Sequence, residues 1–322
     1  MTMRNRVLNS NTPLYRFVSM FDLFDLISRR RLRLSKFATF EDKNEGIGNI
    51  IKMQGTPLFR QNYLACDSIE RNHAMVRENH YATCWTTEPD KIAMWSIYSG
   101  DKSSIRVATT FGKLREALKR CNDDNSWAKV VAEPGSKKRI TWNSSVESVE
   151  YVDFFHQRDL VRDRHRTFRQ FAKDRGSKDP EYYSPGGGFA EDHRAFLQKP
   201  AEVGGIGIFM KDSAFEHEHE VRGVIFSGIR NDLTETAWRA NDDPFCDLFS
   251  WAEPGHLDDF LYAEVPADFI DSVSFDPRMP RYKRDVLEAL FPGLVGRFVD
   301  SRAFGYAFRQ ESFASDYDGN PE

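Results

Sequence analysis

Cysteine is scarce in this chain of 322 residues, and its four cysteines are widely separated. They are Cys66, Cys84, Cys121 and Cys246, so the sequence has no Cys-x-x-Cys pair or other metal-ligand spacing. Neither a disulfide framework nor a structural zinc site is indicated. This cysteine usage favours a reducing compartment, and we expect a cytoplasmic protein.

The sequence also lacks long apolar runs and an excess of charge of one sign. The formal net charge is −4 and the sequence pI is about 6.1, so the overall balance favours neither nucleic-acid nor membrane binding. No apolar run approaches the length of a membrane span, and we expect no membrane association. Hydrophobic residues make up 40% of the chain and aromatic residues 13%, which is enough for a sizeable core.

The most unusual segment is 215–222, in which glutamate and histidine alternate. Its flanking residues favour extended backbone, which predicts a strand. On a strand, three glutamates and an arginine share one face and two histidines share the other. The first group is Glu216, Glu218, Glu220 and Arg222, and the second is His217 and His219. Two other structures fit the pattern, namely a solvated edge strand and a helix with charged pairs spaced four residues apart.

Neighbouring carboxylates on such a strand face repel each other. Alternate residues of a strand are roughly 6.6 Å apart, and at an effective dielectric constant of ~20 each pair repels by about 2.5 kcal/mol. Arg222 offsets part of this repulsion if it pairs with Glu220. Repulsion of this kind raises one pKa and leaves the other carboxylate ionised. The segment is therefore a candidate acidic active site.

An arginine lies within the first predicted strand, at 14–18. Alternation places Arg16 between two aliphatic residues on one face. This position indicates a pairing or functional role, and the alternative is a side chain that extends to solvent. Ser19 is predicted to cap the helix that follows, with Asp22 at the third helical position.

A second strand is predicted at 81–87, and a short helix follows it at 93–98. Trp95 and Tyr98 are three residues apart and lie on one side of this helix. Two aromatic side chains in this arrangement belong either to the core or to the wall of a ligand pocket. A third strand is predicted at 105–111.

The middle of the chain, 112–200, is more variable in composition than the rest. A strand is predicted at 146–155, and a helix at 158–175 carries seven basic residues and three aspartates. This basic helix is either a solvated face or a phosphate contact. Residues 311–322 are expected to form a frayed tail. Because strands outnumber regular strand–helix alternation, an α+β fold is favoured over a doubly wound sheet.

Several segments, taken in order, resemble the bacterial DUF2971 family. The resemblance covers most of the chain and is weakest at 112–200. The segments that carry it are Leu-Tyr-Arg-Phe at 14–17, Cys-Trp-Thr at 84–86, Met-Trp-Ser-x-Tyr at 94–98, Glu-x-Glu-x-Arg at 218–222, and 269–273 before a helix.

The same motifs are similar to the Arg–Ser–Glu pattern of the ADP-ribosyltransferase superfamily. This resemblance implies that Arg16 holds the phosphate or ribose of NAD and that Thr86 supports the nicotinamide ribose. It also implies that Glu220 is the catalytic glutamate and that Glu218 assists the acceptor. Trp95 or Tyr98 would be able to stack on nicotinamide.

The fold that this resemblance implies is a single domain over residues 1–322. Its core would be a mixed or antiparallel split β-sheet flanked by helices, with a partly helical insertion at 112–200. The implied activity is NAD-dependent transfer of ADP-ribose to a protein or nucleic acid, by a bacterial toxin or phage-defence effector. NAD would be the substrate, no metal would be required, and an antitoxin or defence-complex partner would fit the role.

Three other functions remain open from the sequence. One is hydrolysis of NAD with water as the acceptor. Another is a non-catalytic module that binds a nucleotide, a nucleic acid or a protein. A metal-dependent nuclease would use Glu216, Glu218, His217 and His219, but alternation places these histidines and glutamates on opposite faces.

Overall fold

A large antiparallel sheet forms the centre of the fold. The computed structural model describes residues 8–47, 66–126, 139–184, 186–189, 191–192, 207–230, 249–250, 255 and 257–305. Helices and antiparallel strands occur together in these residues, which confirms the predicted α+β class. The predicted tail at 311–322 lies outside the described residues.

The strands of the described residues form one nine-stranded sheet and one small two-stranded sheet. In chain order they are β1 (Pro13–Val18), β2 (Arg31–Lys36), β3 (His80–Thr86), β4 (Ile105–Thr110), β5 (Arg139–Ser148), β6 (Glu150–Val152), β7 (Met210–Asp212), β8 (Glu220–Arg230), β9 (Phe249–Ser250), β10 (Phe260–Glu264) and β11 (Ser272–Phe275). The small sheet pairs β6 with β7 in parallel. In the large sheet, β8 joins β3 to β5 and β9.

One edge of β3 is divided between two strands. On this edge, β2 pairs with Tyr81 and Ala82 near the start of β3, and β1 pairs with Thr86 at the end of β3. On the opposite edge, β3 pairs with β8 along its whole length. The strands β1 and β2 therefore part from each other along β3, and an opening lies between them.

Six helices flank the sheets in the described residues. They are α1 (Met20–Ser28), α2 (Cys66–Glu78), α3 (Ile92–Tyr98), α4 (Phe111–Asp124), α5 (Phe154–Gly176) and α6 (Arg281–Leu290). Short 3₁₀ helices span Phe37–Thr39, Gly207–Phe209, Ser213–Glu218 and Pro292–Leu294. None of the helices in the described residues has the length and apolar character that crossing a bilayer requires.

Capping side chains determine where two helices begin. The Oγ atom of Ser19 accepts a hydrogen bond from the Asp22 amide at 3.1 Å, which confirms the predicted cap of α1. Asp153 caps α5 by accepting a bond from the His156 amide at 2.9 Å. The strand predicted at 146–155 was therefore wrong at its end, because this cap starts a helix at Phe154.

The two faces of the large sheet pack against different groups. The larger core includes Leu14, Val18 and Trp85 from the sheet and Leu114 and Leu118 from α4. On the other face, a smaller core consists of Phe37, Val76, Ala82, Ile208, Phe209 and Val224. Gly223 of β8 permits close packing of α4, since an added Cβ atom would lie 2.6 Å from Leu118 Cδ1.

Part of the segment 112–200, expected to be an insertion, belongs to the main sheet and core. Strand β5 pairs with β8, with Val146 opposite Gly223, and α4 packs on the larger core. Two other described elements of this segment lie outside the nine-stranded sheet. They are β6, which pairs with β7, and α5, where Phe168 and Ala172 pack on Tyr182.

Candidate active site

A cavity of about 440 Å³ lies at the opening between β1 and β2. Five of the six residues that the sequence singled out for the site line this cavity. They are Arg16, Thr86, Tyr98, Glu218 and Glu220. Residues from four separate parts of the chain thus meet at one place, as the resemblance implies.

Trp95 is the predicted site residue that does not line the cavity. Its side chain is fully buried and meets the Phe17 ring edge to face, with centroids 4.7 Å apart. Tyr98 lies on the cavity side of α3 and stacks against Phe17, with centroids 6.1 Å apart. The aromatic wall of the cavity therefore comes from Phe17 and Tyr98, and Trp95 supports it from behind.

The strand predicted at 215–222 was wrong in its first half. Residues Ser213–Glu218 form a 3₁₀ helix because Asp212 accepts a hydrogen bond from the Ala214 amide and caps the turn. His219 then adopts a left-handed conformation, with φ 44° and ψ 50°, and the strand begins at Glu220. The helix alternative is also wrong, since the helical turn ends at Glu218 and Glu220 and Arg222 lie in a strand. The solvated-strand alternative is wrong because Glu218 and Glu220 are both buried.

The turn at His219 separates the three glutamates. Glu216 lies on the exposed side of the 3₁₀ helix, whereas Glu218 and Glu220 point into the protein. Both buried carboxylates contact the same amine. Lys211 Nζ is 2.6 Å from Glu218 Oε2 and 3.2 Å from Glu220 Oε2.

Lys211 is a site residue that the sequence did not reveal. It lies in the three-residue strand β7, which is too short to give a clear periodic signal. Burial alone would lower the pKa of Lys211, but the negative charges of Glu220 and Glu45 outweigh burial and raise it. Lys211 is therefore a fixed cation between the two carboxylates.

Arg222 holds Glu220 from the other side. Its side chain is completely buried, with Nε 2.7 Å from Glu220 Oε1 and Nη2 3.1 Å from Glu220 Oε2. This two-point contact confirms the predicted pairing of Arg222 with Glu220. Arg222 Nη1 also lies 2.9 Å from an oxygen of Glu45, a residue 177 positions away in the chain.

Glu45 completes a network of five buried charged residues. We call it the acid–base cluster, and its members are Glu45, Lys211, Glu218, Glu220 and Arg222. Its formal charge is −1, with three carboxylates around two cations. Within the described ranges, no group of three or more His, Cys, Asp or Glu side chains is arranged to hold a metal ion.

The cluster gives two of its carboxylates opposite pKa shifts. Burial alone would raise the pKa of Glu220, but the Arg222 and Lys211 charges outweigh burial and lower it to about 2. Burial raises the pKa of Glu45, and the Arg222 charge offsets this only in part. Glu220 is therefore ionised at neutral pH, whereas Glu45 holds a proton more readily than an ordinary glutamate.

Two tyrosine hydroxyl groups position the buried glutamates. Tyr98 donates a hydrogen bond of 3.0 Å to Glu218 Oε1, and the Tyr151 hydroxyl accepts one of 2.7 Å from the Glu220 amide. Burial raises the pKa of both tyrosines, with the Glu218 charge adding to the effect at Tyr98. Both hydroxyl groups stay protonated at neutral pH, so Tyr98 remains a donor to Glu218.

Arg16 reaches the cavity from the opposite face of the sheet. Tyr15 is opposite Thr86 in the strand register, and Thr86 is opposite Glu220, so these three share one face. Arg16 points to the other face, where its Nη1 donates to Thr83 Oγ1 at 2.8 Å and to a backbone carbonyl at 3.2 Å. The opening between β1 and β2 brings the guanidinium group to the cavity.

The two oxygens that accept hydrogen bonds from Arg16, Thr83 Oγ1 and the Arg33 carbonyl, are neutral. Among the residues that the structure describes, no carboxylate oxygen lies within 4.0 Å of its guanidinium nitrogens. Burial lowers the pKa of Arg16, and the more distant charge of Asp22 counters part of that effect. An arginine is still charged at neutral pH, so Arg16 is a cation at the cavity that lacks a paired anion in the described structure.

Thr86 and Cys84 complete the floor of the cavity. The Thr86 hydroxyl accepts a hydrogen bond from the Glu88 amide at 3.1 Å, which fixes it between Tyr15 and Glu220. Cys84 is opposite Arg222 in the register, and burial raises the pKa of its thiol. The thiol is therefore protonated, and its nucleophilicity is low.

Comparison of the chain with protein-family models, curated proteins and solved structures finds no match. The chemistry of the cavity is thus inferred from its own side chains. They offer a fixed ionised carboxylate, a second carboxylate held by a hydroxyl donor, an aromatic wall, and a cation with no carboxylate partner among the described residues.

Proposed function

We propose that this chain cleaves the nicotinamide–ribose bond of NAD and transfers ADP-ribose to a macromolecule. The observation that carries this proposal is the arrangement of Glu220. Its carboxylate is ionised, faces the cavity, and is held at both oxygens by Arg222 and Lys211. A carboxylate fixed in this way is suited to stabilise positive charge that develops on a ligand.

The reaction requires such a group at the ribose. When the bond between ribose C1′ and nicotinamide breaks, its electron pair leaves with nicotinamide and the sugar acquires oxocarbenium character. Glu220 stabilises this charge without moving, because its contacts are already formed, and preorganisation of this kind is a large catalytic term. The acceptor nucleophile then forms a bond to C1′.

Glu218 accepts the proton that the nucleophile loses. It lies beside Glu220 at the cavity, and Tyr98 and Lys211 orient its carboxylate. A carboxylate in contact with the nucleophile is suited to general-base catalysis. The two glutamates thus have separate roles, electrostatic for Glu220 and proton transfer for Glu218.

The rest of the ligand matches the other walls of the cavity. Arg16 is suited to bind the pyrophosphate of NAD, since an unpaired guanidinium forms two-point contacts with phosphate oxygens. Phe17 and Tyr98 offer aromatic surfaces on which the nicotinamide ring would stack. We also propose an ADP-ribosyltransferase-like split sheet, which the divided edge of β3 supports, and membership of the DUF2971 family, which rests on the order of the sequence motifs alone.

The test is nicotinamide release from NAD by purified protein, with and without cell lysate. We expect release that depends on lysate, and a loss of about 10²–10³-fold in rate in Glu220→Gln, as for removal of one electrostatic group. Glu216→Gln is the matched control, because Glu216 lies four residues away on the exposed side of the 3₁₀ helix.

Other outcomes would revise or overturn the proposal. Release at the same rate without lysate would assign the activity to NAD hydrolysis. An equal loss in Glu216→Gln and Glu220→Gln would remove Glu220 from its catalytic role. No release and no NAD binding by calorimetry would exclude NAD as the substrate and favour a non-catalytic binding module.

A further inference from the structure

Five basic side chains form a stripe along one side of α5. They follow one another at intervals of three or four residues, which places them on one face of a helix. All five are exposed. We call this group the basic stripe, and it consists of Arg158, Arg162, Arg166, Arg169 and Lys173. It extends about 22 Å along the helix axis, at ~1.5 Å per residue.

The charge of α5 is opposite in sign to that of the whole chain. Between Phe154 and Gly176, seven cations and three aspartates give a net charge of +4, whereas the chain as a whole has −4. Within the stripe, Arg158 and Arg162 share Asp159 at 3.4 and 3.3 Å, and Arg166 has Asp163 at 3.3 Å. In the part of the chain that is described, neither Arg169 nor Lys173 has a carboxylate oxygen within 4.0 Å. The stripe therefore keeps an excess of positive charge.

An exposed aromatic ring lies at the start of the stripe. Phe155 precedes Arg158 by three residues and so projects from the same face of α5. Its side chain is 69% exposed, and the Arg158 guanidinium lies 5.3 Å from the ring centroid. A solvent-exposed ring beside cations is a surface on which a nucleic-acid base can stack.

The aromatic end of the stripe is next to the candidate active site. Strand β6 ends at Val152, two residues before α5 begins, and it carries Tyr151, whose hydroxyl accepts a hydrogen bond from the Glu220 amide. In the small sheet, Tyr151 pairs with Lys211 of the acid–base cluster. A polymer bound along the stripe would therefore have one end close to the elements that hold the cavity.

We propose that the basic stripe binds a nucleic acid, with phosphates on the arginines and a base on Phe155. A row of guanidinium groups suits a polymer of regularly spaced phosphates, because each guanidinium matches phosphate oxygens at two points. The aromatic ring favours a nucleic acid over an acidic protein, since bases stack on such rings. Binding itself is independent of NAD, whereas presentation of the nucleic acid as acceptor rests on the proposed function.

The experiment measures fluorescence anisotropy of labelled single-stranded RNA, single-stranded DNA of the same sequence, and duplex DNA, without NAD. The variant Arg158→Ala/Arg162→Ala/Arg166→Ala is compared with Arg115→Ala/Lys119→Ala/Arg120→Ala. The second variant removes three positive charges from exposed positions of α4 and so keeps the net charge matched.

We expect the stripe variant to lose about tenfold or more in affinity for a single strand. The plot of log affinity against log salt should become less steep by about 2, since three phosphate contacts are lost and each contributes ~0.7 to the steepness for a single strand. Phe155→Ala should weaken binding without changing this slope, as loss of a stacking contact would. The α4 variant should bind like the wild-type protein.

Three outcomes would overturn the proposal. They are no binding of any of the probes, an equal loss in both triple variants, and binding of polyglutamate with the same affinity and salt slope as RNA. Circular dichroism and thermal melting of each variant establish that it is folded before binding is compared. No NAD is present in this experiment. A failure to bind nucleic acid would therefore overturn the proposal for the basic stripe without deciding whether the protein releases nicotinamide from NAD.

Discussion

The acid–base cluster and the basic stripe each contain five charged side chains, but the first is buried and the second lies in solvent. In the cluster, the side chains of Arg222 and Glu45 are 0% and 4% exposed. In the stripe, those of Arg162 and Arg166 are 60% and 71% exposed. Coulomb interactions are strong where water is excluded and weak where water screens them. The same types of residue therefore affect stability differently in the two regions.

The two regions also differ in how their charges are balanced. The cluster brings three carboxylates and two cations into contact, because an unpaired buried charge costs several kcal/mol (about 3–5) when its partner is removed. The stripe keeps charges of one sign together, since water solvates each of them. Burial thus determines whether a group of charges has to be neutralised within the protein. An exposed group is free to meet an external partner.

The largest effect on stability is expected when Arg222 is replaced by Met. Met has a similar length but leaves Glu220 and Glu45 buried with Lys211 as their remaining cation. We expect the free energy of unfolding to fall by about 3–5 kcal/mol, the usual cost of breaking a buried ion pair on one side. Urea denaturation followed by circular dichroism measures this difference.

A second variant controls for packing. Arg222→Met combined with Glu220→Gln also removes one of the carboxylates that would otherwise share Lys211 as their only remaining cation in the described cluster, so it should recover part of the lost stability. If Arg222→Met costs less than about 1 kcal/mol, the cluster behaves like a surface ion pair. Burial would then not make the charged contacts of the cluster more important for stability than those of the stripe.

Local signals allowed much of the fold to be predicted from the sequence. The strands β1, β3 and β4 and the cap of α1 follow from alternation and from Ser19, which act over a few residues. The meeting of Arg16, Thr86 and Glu220 at one cavity was expected from the resemblance rather than from local pattern.

Longer-range features escaped prediction for physical reasons. Glu45 reaches Arg222 across 177 residues of chain, and no local pattern encodes such a contact. Lys211 lies in a strand of three residues, too short for alternation to be visible. The cap at Asp212 starts a helical turn that separates Glu216 from the other two glutamates. The sequence pattern grouped all three, because a single aspartate is a weak signal beside an alternating run.

A buried histidine should make the stability of the folded protein depend on pH. His80 of β3 is 2% exposed and lies beside the Phe226 ring, and burial lowers its pKa from 6.5 to about 4. The backbone carbonyl of Val76 accepts a hydrogen bond from His80 Nδ1, which offsets burial only in part. His80 is therefore neutral in the folded protein at neutral pH, unlike the charged members of the cluster.

The sign of the effect follows from proton binding. Between pH 6.5 and about 4 the unfolded chain binds a proton at His80 and the folded protein does not, so stability is lost as the pH falls. This loss should be on the order of 3 kcal/mol. Urea denaturation at pH 7, 5.5 and 4.5 measures it, with His80→Asn as the control that keeps an N–H donor but does not titrate. Equal losses in both proteins would show that His80 accepts a proton without unfolding.

The smallest effect on stability is expected from the stripe variant Arg158→Ala/Arg162→Ala/Arg166→Ala. It removes exposed pairs with Asp159 and Asp163, each of which contributes about 1 kcal/mol or less. It also removes repulsion between arginines four residues apart, which has a similar size and the opposite sign. The free energy of unfolding should therefore change by less than about 1 kcal/mol, and the change should shrink further in 0.5 M NaCl. A loss above about 2 kcal/mol that persists in salt would mean that the stripe, like the cluster, is part of what holds the fold together. Its cations would then be committed within the protein and not available to a nucleic acid.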